Sequence, residues 1–147
     1  FQSENINAPK EKTYSEITKD IRLEKIKKGA KIVLNNIFFD SGKSMLRKES
    51  NIELDKLYTL INDNEKLKVE VGGHTDNAGK PEKNVLLSQA RADAVVNYLI
   101  VKGAERSRII SQGYGDAQPV APNTINNKPN AKGMQLNRRV EFKILEN

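Results

Sequence analysis

Asp76 and Arg91 are the residues of this sequence with the clearest chemical use. Asp76 sits in Gly72-Gly73-His74-Thr75-Asp76-Asn77-Ala78-Gly79, a Gly-rich turn that follows a β-patterned run. Arg91 lies fifteen residues further on, in a helical stretch that also carries Asn84 and Leu87. An aspartate supplies the counter-charge for an ammonium, and the planar fork of an arginine suits a carboxylate. Asn84 can both donate and accept beside them. Side by side, such a pair grips a ligand bearing an ammonium and a carboxylate, as an amino-acid end does. That is binding chemistry rather than catalysis. Taken singly, each residue has a plainer use: Asp bonds its own backbone in turns, and an exposed Arg forms a surface ion pair of little worth. The pairing favours the sharper reading, because turn and helix meet at one end of a sheet.

Other reactive types are sparse. His74 is the only histidine and there is no cysteine, so neither a metal site nor a disulfide is expected. A Ser88–His74–acid triad is arithmetically possible. However, Ser88 falls on the buried stripe of its helix, and no nucleophile-elbow pattern surrounds it. His74 is therefore expected to tie down the turn by hydrogen bonds. Arg138-Arg139 opens the last strand, where neighbouring side chains point to opposite faces, so only one of the two reaches a given site. Phe38-Phe39-Asp40-Ser41 ends the first strand and could border the same cleft.

The elements that position these residues follow from periodicity. Ala30 to Phe39 is apolar and rich in β-branched and aromatic residues, predicting a strand closed by the turn Asp40-Ser41-Gly42. Ser50-Asn51-Ile52-Glu53 has capping-box spacing, and Leu54, Leu57 and Ile61 place a first helix over about 48–62. Lys66 to Val71 alternates as a half-buried strand. A second helix covers about 82–102, with Ser88, Ala92, Val95, Val96 and Leu99 as its buried stripe and Gly103 as its stop. Asn84, Leu87 and Arg91 cluster on the flank of that stripe. A strand at about 107–113 follows, then a loop from Gly115 to Gln135, then a strand from Arg138 to Leu145. The order β-α-β-α-β-β predicts an α/β (α+β) two-layer sandwich, two helices on a mixed four-stranded sheet. Parallel neighbours joined by a helix should cross over right-handed.

At 147 residues the chain reads as one domain over 21–147 behind a polar linker at 1–20. Ile21, Leu23 and Ile26 are expected to add a short strand or an extended arm. Phe1 is not an initiator Met, so the chain is read as a piece of something longer. No run approaches the roughly 18 apolar residues of a membrane span, so no direct membrane insertion by this chain is expected. The net charge is +6, but acids and lysines are interspersed and no aromatic-basic interleaving of single-strand binders is present. Nucleic acid is not an expected partner.

Several separated pieces resemble the OmpA-like peptidoglycan-binding domain, a family that includes the peptidoglycan-associated lipoprotein and the flagellar stator's wall anchor. The resemblance covers about residues 30–146. It is carried by Asn36-Ile37-Phe38-Phe39-Asp40, Gly73-His74-Thr75-Asp76-Asn77 with Gly79, Asn84, Leu87-Ser88, Arg91-Ala92, Val95, Tyr98-Leu99 and Gly103. Gly113-Tyr114-Gly115, Pro119-Val120-Ala121, Asn123 and Asn137-Arg138-Arg139-Val140-Glu141 complete it. So many pieces in order are far more specific than one short motif. The resemblance implies a non-catalytic module without a cofactor that holds the stem peptide of peptidoglycan. It implies that Asp76 and Arg91 clasp the amino and carboxylate end of diaminopimelate. Thr75, Asn84, Leu87 and Arg138 would line the same pocket, and Asp40-Ser41-Gly42 would form another wall.

Two departures concern the pocket rim. Gly133 is followed by Met134-Gln135-Leu136 where the family often has Gly-Arg-Ala, so an arginine is missing. The loop Thr124 to Lys132 is longer than usual. The leading Ile21-Arg22-Leu23 and Gly29 to Asn36 resemble Bacteroidetes members. The resulting expectation is a periplasmic module of a Gram-negative cell, anchoring upstream membrane-attached parts of the same chain to the wall. The alternative is a protein-interaction module that uses its basic surface.

Overall fold

The computed structural model describes residues 28–146 together with the strand Lys12–Thr13. The expected arm at Ile21, Leu23 and Ile26 lies outside the described residues, as does most of 1–20. The body is a mixed sheet of β2 (Lys31–Leu34), β3 (Lys68–His74), β4 (Ile109–Gly115) and β7 (Arg139–Glu146), in the spatial order β2-β7-β3-β4. Strand β1 (Lys12–Thr13) adds parallel to the outer edge of β2. Strand β7 runs antiparallel to both β2 and β3, and β3 runs parallel to β4. The first strand-helix-strand unit is therefore split by the last strand of the chain.

Helix α1 (Asn51–Asp63) and helix α2 (Pro81–Lys102) bury their apolar stripes with one face of this sheet. Val69 and Val71 of β3, and Phe142 and Ile144 of β7, are fully buried with Leu54, Leu57, Ile61, Val95 and Leu99. Each such side chain contributes roughly 1.5–3 kcal/mol of burial. Pro81 starts α2 where its missing N–H costs nothing. Gly103 stops it at φ 125°, with its N–H returned to Leu99 and Ile100 carbonyls.

Two glycines decide how closely α2 lies on the sheet. Gly73 and Gly113 are partners across β3 and β4. A Cβ on Gly73 would stand 2.3 Å from the Ser88 carbonyl oxygen, and one on Gly113 would stand 2.4 Å from the Gln89 nitrogen. Backbone-on-backbone approach at this point fixes the helix that carries Asn84 and Arg91.

The sequence reading needs correction in four places. The first strand is shorter than Ala30 to Phe39: it ends at Leu34, because Asn35-Asn36 turns the chain. Phe39 then returns in a single bridge to Leu46. Ser50 forms no side-chain cap on α1. Its hydroxyl accepts from the Phe38 N–H at 2.7 Å and donates to the Phe38 carbonyl, tying this turn to the helix start. The loop from Gly115 to Gln135 contains a hairpin, β5 (Thr124–Ile125) and β6 (Lys128–Pro129), and the start of a third helix, α3 (Ala131–Asn137). Asn126 and Asn127 sit at φ 52° and 62°, a left-handed pair that suits a two-residue hairpin turn. Arg138 belongs to the end of α3 rather than to the last strand, which opens at Arg139.

Candidate functional site

The register of β3 against β7 brings the turn and the arginine pair together. His74 faces Arg139 at the end of the ladder, so Asp76 just beyond one strand meets Arg138 just before the other. Asp76 is only 8% exposed. Its Oδ1 accepts the Ala78 N–H at 2.9 Å, an Asx turn, and its Oδ2 pairs with Arg138 Nη1. Thr75 donates its hydroxyl to the Asp76 carbonyl, and its own N–H reaches the Gly115 carbonyl at 2.8 Å. Asn84 is buried and donates to the Ala78 carbonyl at 2.9 Å. Thr75 and Asn84 thus set the shape of the turn around the acid. Leu87 is half-buried on the same helix.

Arg91 holds the opposite side. Its Nε donates to the Lys43 carbonyl at 2.9 Å, and an Nη donates to the Asp40 carbonyl at 3.4 Å. The guanidinium also stands 5.0 Å over the Phe39 ring. Burial, and then the charge of Arg138, pull the Arg91 pKa below its usual range, while Asp76 acts in the opposite sense. Arg91 forms no ion pair among the described residues. The turn Asp40-Ser41-Gly42 is bound to Arg91 through its backbone. The Asp40 carboxylate itself turns to Arg47, 3.8 Å away, and Ser41 and Gly42 are exposed.

Between these groups lies a cleft of about 570 Å³. Val33, Leu34, Ile37, Phe38 and Phe39 give it an apolar side, Gly73 and His74 reach it from the sheet, and Arg91, Arg138, Arg139 and Lys132 supply its charge. Of the nine expected site residues, Arg91 and Arg138 line it. Asp76 borders it through Arg138.

Both Arg138 and Arg139 line the cleft, against the expectation that only one would reach it, because Arg138 lies before the strand rather than in it. Arg139 pairs with Glu141 at 2.9 Å and donates to the Gln118 carbonyl. His74 is 2% exposed, lies 2.9 Å from Glu141 through Nε2, and stacks on Tyr114 with centroids 5.1 Å apart. Neither ring nitrogen makes a hydrogen bond among the described residues, so the expected hydrogen-bonded tie to the turn is not formed, and the ring is placed by Tyr114 and Glu141 instead. The Ser88 hydroxyl is fully buried, donating to the Val85 carbonyl and accepting the Gly115 N–H. It is engaged with backbone at both ends rather than with an imidazole.

Residues 38–132 match the OmpA family. The chain belongs to that family. It is 38% identical to the probable lipoprotein YiaD of Escherichia coli over 119 residues, 79% of this chain and 52% of that protein. It is 35% identical to outer membrane protein P5 of Haemophilus influenzae over 114 residues, 75% of this chain and 32% of that protein. The chain therefore spans about half the length of one of these relatives and a third of the other. Among solved structures, the cell wall anchor of the T6SS from Pseudomonas aeruginosa superposes with a TM-score of 0.64 at 30% identity, covering 75% of this chain and 76% of that one. The chain's relatives thus include an outer membrane protein and a cell wall anchor. Among the described residues, no helix is long and apolar enough to cross a membrane.

Sequence reasoning missed the α3 side of the cleft. Lys132, Gln135 and Leu136 line it; they were placed at the pocket rim as loop residues, and the helix that carries them was not anticipated. A signal was present: Asn130 after Pro129, followed by a run with only one poor helix former. Gly133, which suggested loop, is in fact a packing residue, since a Cβ there would meet the Pro122 carbonyl oxygen at 2.0 Å.

Proposed function

We propose that this OmpA-family domain binds peptidoglycan non-covalently through the diaminopimelate end of the stem peptide. Arg91 receives the carboxylate and Asp76 the ammonium. The observation that carries the reading is the placement of a half-buried guanidinium without an ion-pair partner at a cleft bordered by a buried aspartate. Thr75 and Asn84 hold the aspartate's turn, Phe39 and the Asp40–Lys43 carbonyls hold the guanidinium, and Arg138 bridges towards the acid. Charge-assisted bonds in such a place contribute roughly 1.5–3 kcal/mol each. No step of this function requires turnover, a metal or a cofactor. The domain would tether a membrane-attached part of its own chain to the wall from the periplasmic side, by analogy with the Pseudomonas cell wall anchor. A wall offers many stem peptides, so clustered copies gain avidity.

The test is calorimetric titration of a diaminopimelate-containing stem peptide into wild type and Asp76→Ala, beside the same peptide with lysine in place of diaminopimelate. Saturable binding that is lost in the variant and weakened for lysine supports the clasp. Absence of binding by folded wild type overturns it.

A further inference from the structure

The cleft lining holds four cationic side chains, Arg91, Lys132, Arg138 and Arg139, and no carboxylate. Two of the four are neutralised within the protein. Arg138 is paired with Asp76, and Arg139 with Glu141. Arg91 donates to carbonyl oxygens, which orient it without cancelling its charge. Lys132, near the start of α3, has no ion pair and no hydrogen bond among the described residues. Two uncompensated positive charges, one on α2 and one on α3, therefore face the same concave space.

Arg91 stands on α2 and Lys132 on α3, so each can take a carboxylate of its own. A cleft of about 570 Å³ is of the size that takes a whole small ligand rather than one terminus, and its apolar members suit the aliphatic stem of a peptide. An ammonium on a flexible stem, at an exposed rim, suits a carboxylate whose position is fixed elsewhere. We infer that Lys132 forms a second anion subsite, and that the ligand fitting the cleft is a peptide with a second carboxylate besides the one at Arg91. This rests on the stem-peptide reading above and names a further feature of its ligand. Because Lys132 is exposed, the pair is worth what a surface ion pair is worth, up to about fivefold in affinity.

The experiment titrates two peptides into the full 147-residue chain by calorimetry at low salt. Both contain diaminopimelate. In one, the preceding γ-linked glutamate keeps its free α-carboxylate, and in the other that group is a carboxamide. Wild type should bind the amidated peptide about fivefold more weakly. Lys132→Gln should bind both peptides alike, at the affinity of wild type for the amide, and Lys132→Arg should restore the preference. Equal binding of the two peptides by wild type overturns the Lys132 subsite and leaves the clasp at Arg91 standing. A preference that survives in Lys132→Gln overturns it likewise. Failure of wild type to bind either peptide overturns the clasp itself, and the subsite with it.

Discussion

Arg138 and Asp76 are joined across the end of the sheet, so the acid of the site carries a cation of its own. The second oxygen of Asp76 accepts a backbone N–H from its turn. A carboxylate has about four lone-pair directions, so the ammonium of the proposed ligand would share this acid with Arg138 and Ala78. The acid is thereby preset in orientation.

Asp76→Asn keeps an oxygen that can accept from Ala78 and removes the charge. Stability should change by no more than about 1 kcal/mol, since the Arg138 side of the pair is half exposed. Affinity for a diaminopimelate peptide should fall at least about tenfold. Thermal unfolding and calorimetry on the same sample check both halves, and a large stability loss with unchanged affinity would make Asp76 a turn residue only.

Arg91→Lys keeps the cation but removes the fork that holds two carbonyls and stacks on Phe39. Peptide affinity should drop about tenfold. Amide hydrogen exchange should quicken at residues 40–46 while the β3 and β7 amides keep their protection.

Gly73→Ala places a methyl group against the Ser88 carbonyl, and backbone cannot swing aside as a side chain can. The substitution should cost about 3 kcal/mol in urea unfolding. Gly79→Ala meets nothing within 4 Å and suffers only its φ of 80°, for about 1 kcal/mol. Equal costs would show that α2 does not rest on the sheet as closely as described.

Tyr114 donates to Glu70 and is pushed up to about 12, by burial first and then by that hydrogen bond. Its folded pKa lies above the ordinary value of 10.0. The stability it contributes is therefore present below pH 10 and is lost as pH rises towards 12. Tyr98, bonded to Asp55, is raised to about 12 as well and acts in the same direction. Tyr114→Phe should flatten the decline of stability over this alkaline window, followed by denaturant unfolding at several pH values. An unchanged slope would assign the decline to Tyr98 alone.

Most of the sheet and both long helices were legible because their apolar residues repeat at the period of the element. Val69 and Val71 alternate with Lys68 and Glu70, and Ser88, Ala92, Val95 and Leu99 return on one helical face. The first strand was overread because Phe38-Phe39 has high β-propensity, which a local Asn35-Asn36 turn overrode. Helix α3 was hidden by its short length, by Gly133 and by the prolines before it. A seven-residue segment has too few periods to announce itself.

The sequence by itself determined the chemistry of the site: an acid in a glycine turn, an arginine in the helix that follows, and a second arginine near the start of the last strand. These are properties of residue type and local spacing, which the chain carries wherever it goes. Only the tertiary structure decided who holds whom. Arg138 rather than Arg91 pairs with Asp76, Arg91 is spent partly on the Asp40–Lys43 turn, and Lys132 enters the cleft from a helix the sequence concealed. Such partners lie 48 to 62 residues apart in the chain. Their meeting depends on strand register and on the close seating of α2 over two glycines, which no local pattern encodes.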